Sequence, residues 1–93
     1  MIKTFIGRDT ERLFLGERSA RFPTQLHRAM QRKLVMVDAA ENLLDLAVPP
    51  GNRLEKLSGD RDGQFSIRLN EQWRICFDWL DGDAYNVEVV DYH

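Results

Sequence analysis

The chain has one cysteine, three prolines, no long apolar run and no large charge of either sign. Each scarcity excludes something. A single thiol, Cys76, rules out an internal disulfide and a Cys-rich zinc site. No apolar run approaches the roughly 18–20 residues that cross a bilayer as a helix, so no membrane partner is expected. The opening Met1-Ile2-Lys3-Thr4-Phe5 lacks the apolar core of a secretion signal. These features together predict a cytoplasmic domain. Lys plus Arg number 13 against 15 Asp plus Glu, a net charge of −2. A sequence-independent duplex binder is normally basic overall, and this chain is not. The Gly59-x-x-x-Gly63 segment lacks the Lys-Ser/Thr pair and the helix of a P-loop. No metal-ligand spacing occurs either, and neither cofactor nor metal is expected.

What is present is an ordinary globular mixture. Of 93 residues 43% are apolar and 30% charged, which predicts one domain spanning 1–93 with a single core. The charge is divided along the chain. Residues 1–37 hold eight basic and three acidic residues, a net of +5, while 75–93 hold five acidic and no basic ones. Ten of the 13 basic residues are Arg, the side chain suited to bidentate phosphate contacts. Any nucleic-acid contact must then use a local Arg-lined surface; otherwise the split describes solvated helix faces.

The periodicity predicts an α+β domain. Ile2–Phe5 reads as a short first strand. Asp9 can cap a helix over Thr10–Leu15 that Gly16 closes. Pro23 and Thr24 start a longer helix on which Leu26, Met30, Leu34 and Val37 form one apolar stripe, with Arg28, Gln31 and Arg32 opposite. Asn42–Ala47 adds a helical turn before Val48-Pro49-Pro50-Gly51 breaks it. The period then changes to two. Phe65, Ile67 and Leu69 alternate with polar residues, as do Trp73, Ile75, Phe77 and Trp79. Asn70-Glu71 and Asp81-Gly82 read as hairpin turns, and Tyr85, Val87 and Val89 as a last strand. With Arg53–Leu57 this makes a four-stranded antiparallel meander preceded by two helices. One sheet face packs on the helices. The other is open, polar and carries Arg68, Arg74, Cys76 and Glu88, a natural ligand surface.

Five short segments occur in order: Gly59-Asp60-Arg61-x-Gly63, Ser66-Ile67-Arg68, Gln72-Trp73-Arg74-Ile75, Asp81-Gly82-Asp83-Ala84-Tyr85 and Asp91-Tyr92-His93. This ordered set resembles the HigB-type toxins of the RelE/ParE superfamily, the plasmid-maintenance killer proteins. The resemblance spans nearly the whole chain and is strongest over residues 53–93. It implies a RelE-like fold, with two N-terminal helices packed on a small twisted antiparallel sheet. It also implies a type II toxin–antitoxin system in a bacterial cytoplasm. The toxin would be a ribosome-dependent endoribonuclease that cuts mRNA. A HigA-type helix-turn-helix antitoxin would neutralise it, and operator DNA would be reached only through that complex.

RNA is cut without a metal when its own 2′-hydroxyl attacks the neighbouring phosphate. That step needs a base, cations for the developing phosphorane charge and an acid for the leaving 5′-oxygen. The resemblance points to Arg61, Arg74, Asp91, Tyr92 and His93 as catalytic. Arg74 fits a phosphate clamp, or else a cross-strand ion pair with Glu88 or Asp78. Arg61 lies between two glycines that let the backbone approach a ligand. His93 is an acid or base, Tyr92 stacks on a base or bonds a phosphate, and Asp91 orients His93 or acts as base. Glu55, Lys56 and Arg68 are the candidate substrate-binding residues. Relatives carry a His and a Lys where this chain has Glu55 and Ser58. Either Glu55 is the base with Lys56 on a phosphate, or cleavage is slow. The alternative function is a catalytically weak or inactive sheet module that binds a protein partner. His27, on the helix, and Cys76 read as structural.

Overall fold

A computed structural model describes residues 1–91. Helix α1 covers Arg8–Phe14 and α2 covers His27–Ala39; the strands are β1 Glu55–Lys56, β2 Phe65–Arg68, β3 Trp73–Leu80 and β4 Asp83–Asp91. The four strands form one antiparallel meander in sequence order. This is the α+β arrangement that the change of period predicts.

The first helix begins earlier than expected, and Asp9 is not its cap. Gly7 occupies the N-cap position, and the Asp9 carboxylate instead accepts a 2.8 Å hydrogen bond from the Ser19 hydroxyl. The other end follows the sequence signal. Gly16 has φ +80°, its N–H bonds the Leu13 carbonyl, and Glu17 N–H bonds the Arg12 carbonyl at 2.8 Å. That pair of bonds is a Schellman stop, which needs a left-handed residue where glycine is least strained. In α2 the stripe residues Met30, Leu34 and Val37 are fully buried against the sheet. The first turn of the long helix, Thr24–Leu26, winds as a 3-10 turn.

Buried Asn52 fixes the loops that follow α2. Its amide donates to the Leu46 carbonyl at 3.0 Å, and its oxygen accepts from Lys33 Nζ. Burial, then the neighbouring Arg32 charge, lowers the Lys33 pKa. Next comes Arg53 at φ +44°, closing a 3-10 turn over Pro50–Asn52. A left-handed residue interrupts the extended backbone, so Arg53 stands outside the strand, and β1 has two residues rather than the five expected.

The β2–β3 connection is also wider than a two-residue turn. It runs through 69–72, and Asn70 Oδ1 accepts the N–H groups of Gln72 and Trp73, both at 2.8 Å. The β3–β4 hairpin matches its sequence signal, with Asp81 at φ +51° and Gly82 at φ +82° joining the Leu80–Asp83 pair. Partway along β4 the register slips: Cys76 faces Glu88, but Asp78 faces Tyr85. The extra residue lies at Asn86, φ +55°, a bulge that Asn tolerates better than most side chains. Ala84, Val87 and Val89 therefore face the core, and Tyr85 goes to the other side.

Residues 2–5 do not form a strand of their own. Ile2 and Phe5 make isolated parallel bridges to Ala84 and Val87, along the outer edge of β4. Farther along that edge the Val89 N–H bonds the buried Thr10 hydroxyl at 3.0 Å. The terminal segment and α1 thus cover an edge that would otherwise offer itself to another strand.

Candidate active site on the polar sheet face

Antiparallel pairing sets residues directly opposite one another on the same face. Glu55 pairs with Ser66, Ser66 with Cys76, and Cys76 with Glu88, so one row crosses all four strands. Beside it, Arg68 lies opposite Arg74. The centre of this face is not open. Ser66 and Cys76 are fully buried and Arg74 is only 8% exposed.

Arg74 is held from several sides. Its Nε donates to Ser66 Oγ at 2.8 Å, and one terminal nitrogen donates to the Arg53 carbonyl at 3.0 Å. The same nitrogen stands 3.2 Å from Glu55 Oε1. The expected ion pair is thus made with Glu55, across β2, rather than with Glu88 or Asp78. The left-handed Arg53 that ends the preceding turn is also the residue whose carbonyl receives Arg74.

Arg61 reaches the other end of the row. Its two terminal nitrogens each stand 3.1 Å from an acceptor, Glu88 Oε1 and Gln64 Oε1. Both arginines act on Cys76. Burial pushes that thiol pKa up, while the Arg61 and Arg74 charges oppose the rise and Glu88 and Glu55 add to it. Arg74 bonds Ser66 and Arg61 bonds Glu88, the residues that pair with Cys76 from either side. Next to Arg61 opens a cleft of about 590 Å³ that Gln64, Asp78 and Glu88 also line.

The structure thus brings Arg61, Arg74, Glu55 and Arg68 to one face; Arg68 Nε bonds the Asn70 carbonyl at 3.0 Å. Lys56 is not among them. It pairs with Phe65, whose side chain belongs to the apolar side of the sheet, and its own side chain is exposed. Asp91 pairs with Trp73, also on that side, and accepts a 3.0 Å hydrogen bond from Gln72 Nε2. Tyr92 and His93 lie outside the described residues. His27 Nε2 donates to the Phe22 carbonyl at 3.0 Å, at the start of α2, the helix that packs on the apolar side of the sheet. Ser66 and Gln64 are partners that the sequence did not single out as site residues, and Glu88, expected on this face, pairs with Arg61 rather than with Arg74. The signal was parity: once the strand register is known, Ser66 and Glu88 must flank Cys76.

Comparison with known proteins gives a consistent picture. Residues 3–93 match a family model described as the RelE-like toxin of type II toxin–antitoxin system HigB. The chain is 48% identical over 64 residues to Toxin HigB-1 of Vibrio cholerae serotype O1, covering 69% of this chain and 67% of that one. It is 34% identical over 97 aligned positions, and the full length of both, to a Proteus vulgaris protein named Endoribonuclease HigB. A solved YoeB-YefM complex from Staphylococcus aureus contains a chain with the same fold. The TM-score is 0.61 at 17% identity, covering 100% of this chain and 98% of that one.

Proposed function

Because the chain belongs to the HigB-like toxin family of type II toxin–antitoxin systems, we propose that it is an endoribonuclease that cuts mRNA on the ribosome. The observation that carries this reading is that Arg74 bonds Ser66 and Arg61 bonds Glu88, the two cross-strand neighbours of buried Cys76, with Glu55 bound to Arg74. Two guanidinium groups over one sheet face, Arg74 from β3 and Arg61 from the adjoining loop, suit a phosphate whose charge grows in the transition state.

In the reaction, Glu55 takes the proton of the 2′-hydroxyl. The 2′-oxygen attacks phosphorus, and the P–O5′ bond breaks to leave a 2′,3′-cyclic phosphate. An acid returns a proton to the 5′-oxygen. Glu55 suits the base because its side chain is 50% exposed, within reach of a substrate, while Arg74 fixes one of its oxygens. With Glu55 as base, His93 takes the acid's role in this reading; the resemblance itself leaves His93 as acid or base, Tyr92 stacking on a base or bonding a phosphate, and Asp91 orienting His93 or acting as base. Arg68 extends the cationic surface along the message. No metal or cofactor takes part in this scheme. With a net charge of −2 the chain has no overall field to hold RNA, so the ribosome presents the message.

The partners in this reading are a HigA-type helix-turn-helix antitoxin, the ribosome and mRNA, all in the cytoplasm; operator DNA is met only through the antitoxin. Among the described residues no helix is long and apolar enough to cross a membrane. The test is induction in a bacterium, with and without the adjacent antitoxin gene. Induced alone, the chain arrests growth and creates new 5′ ends inside translated messages; with the antitoxin it does neither. One observation favours the second reading, a weak or inactive docking module: both clamp arginines already bear a carboxylate. Growth arrest with translated messages intact would support that module and refute the nuclease.

A further inference from the structure

Arg61 sits on a short turn whose backbone bonds are local: Asp62 N–H to the Gly59 carbonyl at 3.1 Å and Gln64 N–H to the Arg61 carbonyl at 2.9 Å. The 3-10 turn Gly59–Arg61 is flanked by Gly59 at φ +69° and Gly63 at φ +87°, and Asp60 and Asp62 are exposed. A Cβ added at either glycine would meet nothing within 4 Å. Yet the Arg61 guanidinium is fixed at two points, by Glu88 Oε1 on β4 and by Gln64 Oε1, each at 3.1 Å. Gln64 is itself bonded to Asp78 Oδ2 at 3.4 Å, and Asp78 Oδ2 accepts from Asn86 Nδ2 at 2.8 Å. Asn86 is the bulge residue, and its N–H is bonded to Thr4 Oγ1 at 2.8 Å. The bulge also decides which β4 residues share a side, and Glu88 falls on the polar one, opposite Cys76.

We propose that Glu88 is a positioning residue that holds the Arg61 guanidinium over the sheet face. A guanidinium has five N–H donors. Glu88 and Gln64 engage one on each terminal nitrogen, which fixes the plane of the group and leaves the other donors for a phosphate. A loop arginine without these anchors would sample many rotamers, and order would have to be supplied when RNA binds. Misplacing a charge partner by about an ångström costs up to a hundredfold in rate. Glu88 touches no reacting atom; its effect passes through Arg61. This inference rests on the nuclease reading for its kinetic consequence and on the loop geometry for its structural one.

The experiment compares Glu88→Ala, Glu88→Gln, Arg61→Ala and the Arg61→Ala/Glu88→Ala double variant in cleavage of ribosome-bound message. Amide hydrogen exchange at Asp62 and Gln64 is measured on the same proteins. Glu88→Ala should lower kcat/KM by about tenfold to a hundredfold. Glu88→Gln should recover most of that loss, because its amide oxygen can accept the same hydrogen bond. Added to Arg61→Ala, Glu88→Ala should cost nothing further. Exchange at Asp62 and Gln64 should speed up in Glu88→Ala and not in Glu88→Gln. Equal damage from Gln and Ala would overturn the proposal by showing that the Glu88 charge itself acts. Faster cleavage by both would overturn it by showing that Glu88 competes with the phosphate. If the wild-type chain cleaves nothing, the nuclease reading fails, and the exchange data alone decide whether Glu88 holds the loop; unchanged exchange in Glu88→Ala refutes it.

Discussion

Replacing Arg74 by Ala should damage both stability and cleavage, and the structure separates the two. A polar-face arginine looks dispensable for folding when the core lies on the other face. Arg74 is nonetheless only 8% exposed and is bonded to Ser66 Oγ and the Arg53 carbonyl. Its removal orphans the hydroxyl of fully buried Ser66, at about 1–3 kcal/mol. It also strips the packing of the arginine stem. The freed Glu55, half exposed, can rehydrate and contributes little. The total is about 2–4 kcal/mol. In a domain of this size each kcal/mol shifts Tm by about 4–8 °C, so the fall is on the order of 8–32 °C. Urea unfolding checks the first figure and a thermal melt the second. Adding Ser66→Ala to Arg74→Ala should recover about 1 kcal/mol, because the orphaned group is gone. Assayed cold, where both proteins are folded, the variant should cut ribosome-bound message about a hundredfold to a thousandfold more slowly. An unchanged melting temperature would refute the anchoring argument. A folded variant with full activity would refute the phosphate clamp.

Asn52→Ala should cost about 1–3 kcal/mol in urea unfolding by leaving the Leu46 carbonyl without its donor, with cleavage unchanged once folded. Cys76 should resist a maleimide in the folded chain near neutral pH and react on unfolding, because it is buried and its pKa is raised. The sign for stability follows. The folded chain keeps the thiol proton where the unfolded chain loses it, so stability should fall as pH rises above the ordinary thiol value of 9.0; a Cys76→Ala variant should lack that fall in alkaline unfolding titrations. Removing Tyr92 and His93 should abolish growth arrest while changing Tm by only a few degrees, about the scale of a terminal truncation; a truncated chain that remains toxic would remove the C-terminus from the chemistry.

The sequence signals that survived are those written in local chemistry. Asp81-Gly82 demands two left-handed residues, and Gly16 a helix stop; neither depends on the rest of the chain. The α2 stripe is equally local, since burial of Met30, Leu34 and Val37 follows from their spacing. The misreadings arose where a distant contact decides. Period two puts Tyr85 with Val87 and Val89, but the bulge at Asn86 sends it to the other face. Arg53 reads as strand, but it caps a turn with φ +44° and gives its carbonyl to Arg74. Lys56 reads as a phosphate contact, but its pairing with Phe65 turns it away from the arginines. In the candidate site, the polar side of an amphipathic strand pointed to Arg74, while Arg61 and Glu55 came from the family resemblance. Which carboxylate pairs with which arginine was hidden, since that depends on register across four strands.

The most direct test of the central claim is the chemistry of the cut ends. Purified chain is mixed with ribosomes carrying a defined message, and separately with the same RNA free in solution. The account predicts rapid cleavage only on the ribosome, leaving a 5′-hydroxyl on one fragment and a 2′,3′-cyclic phosphate on the other, with Glu55→Ala and Arg74→Ala both slow. Fragments with 5′-phosphates, or free RNA cut as fast as ribosome-bound message, would contradict it.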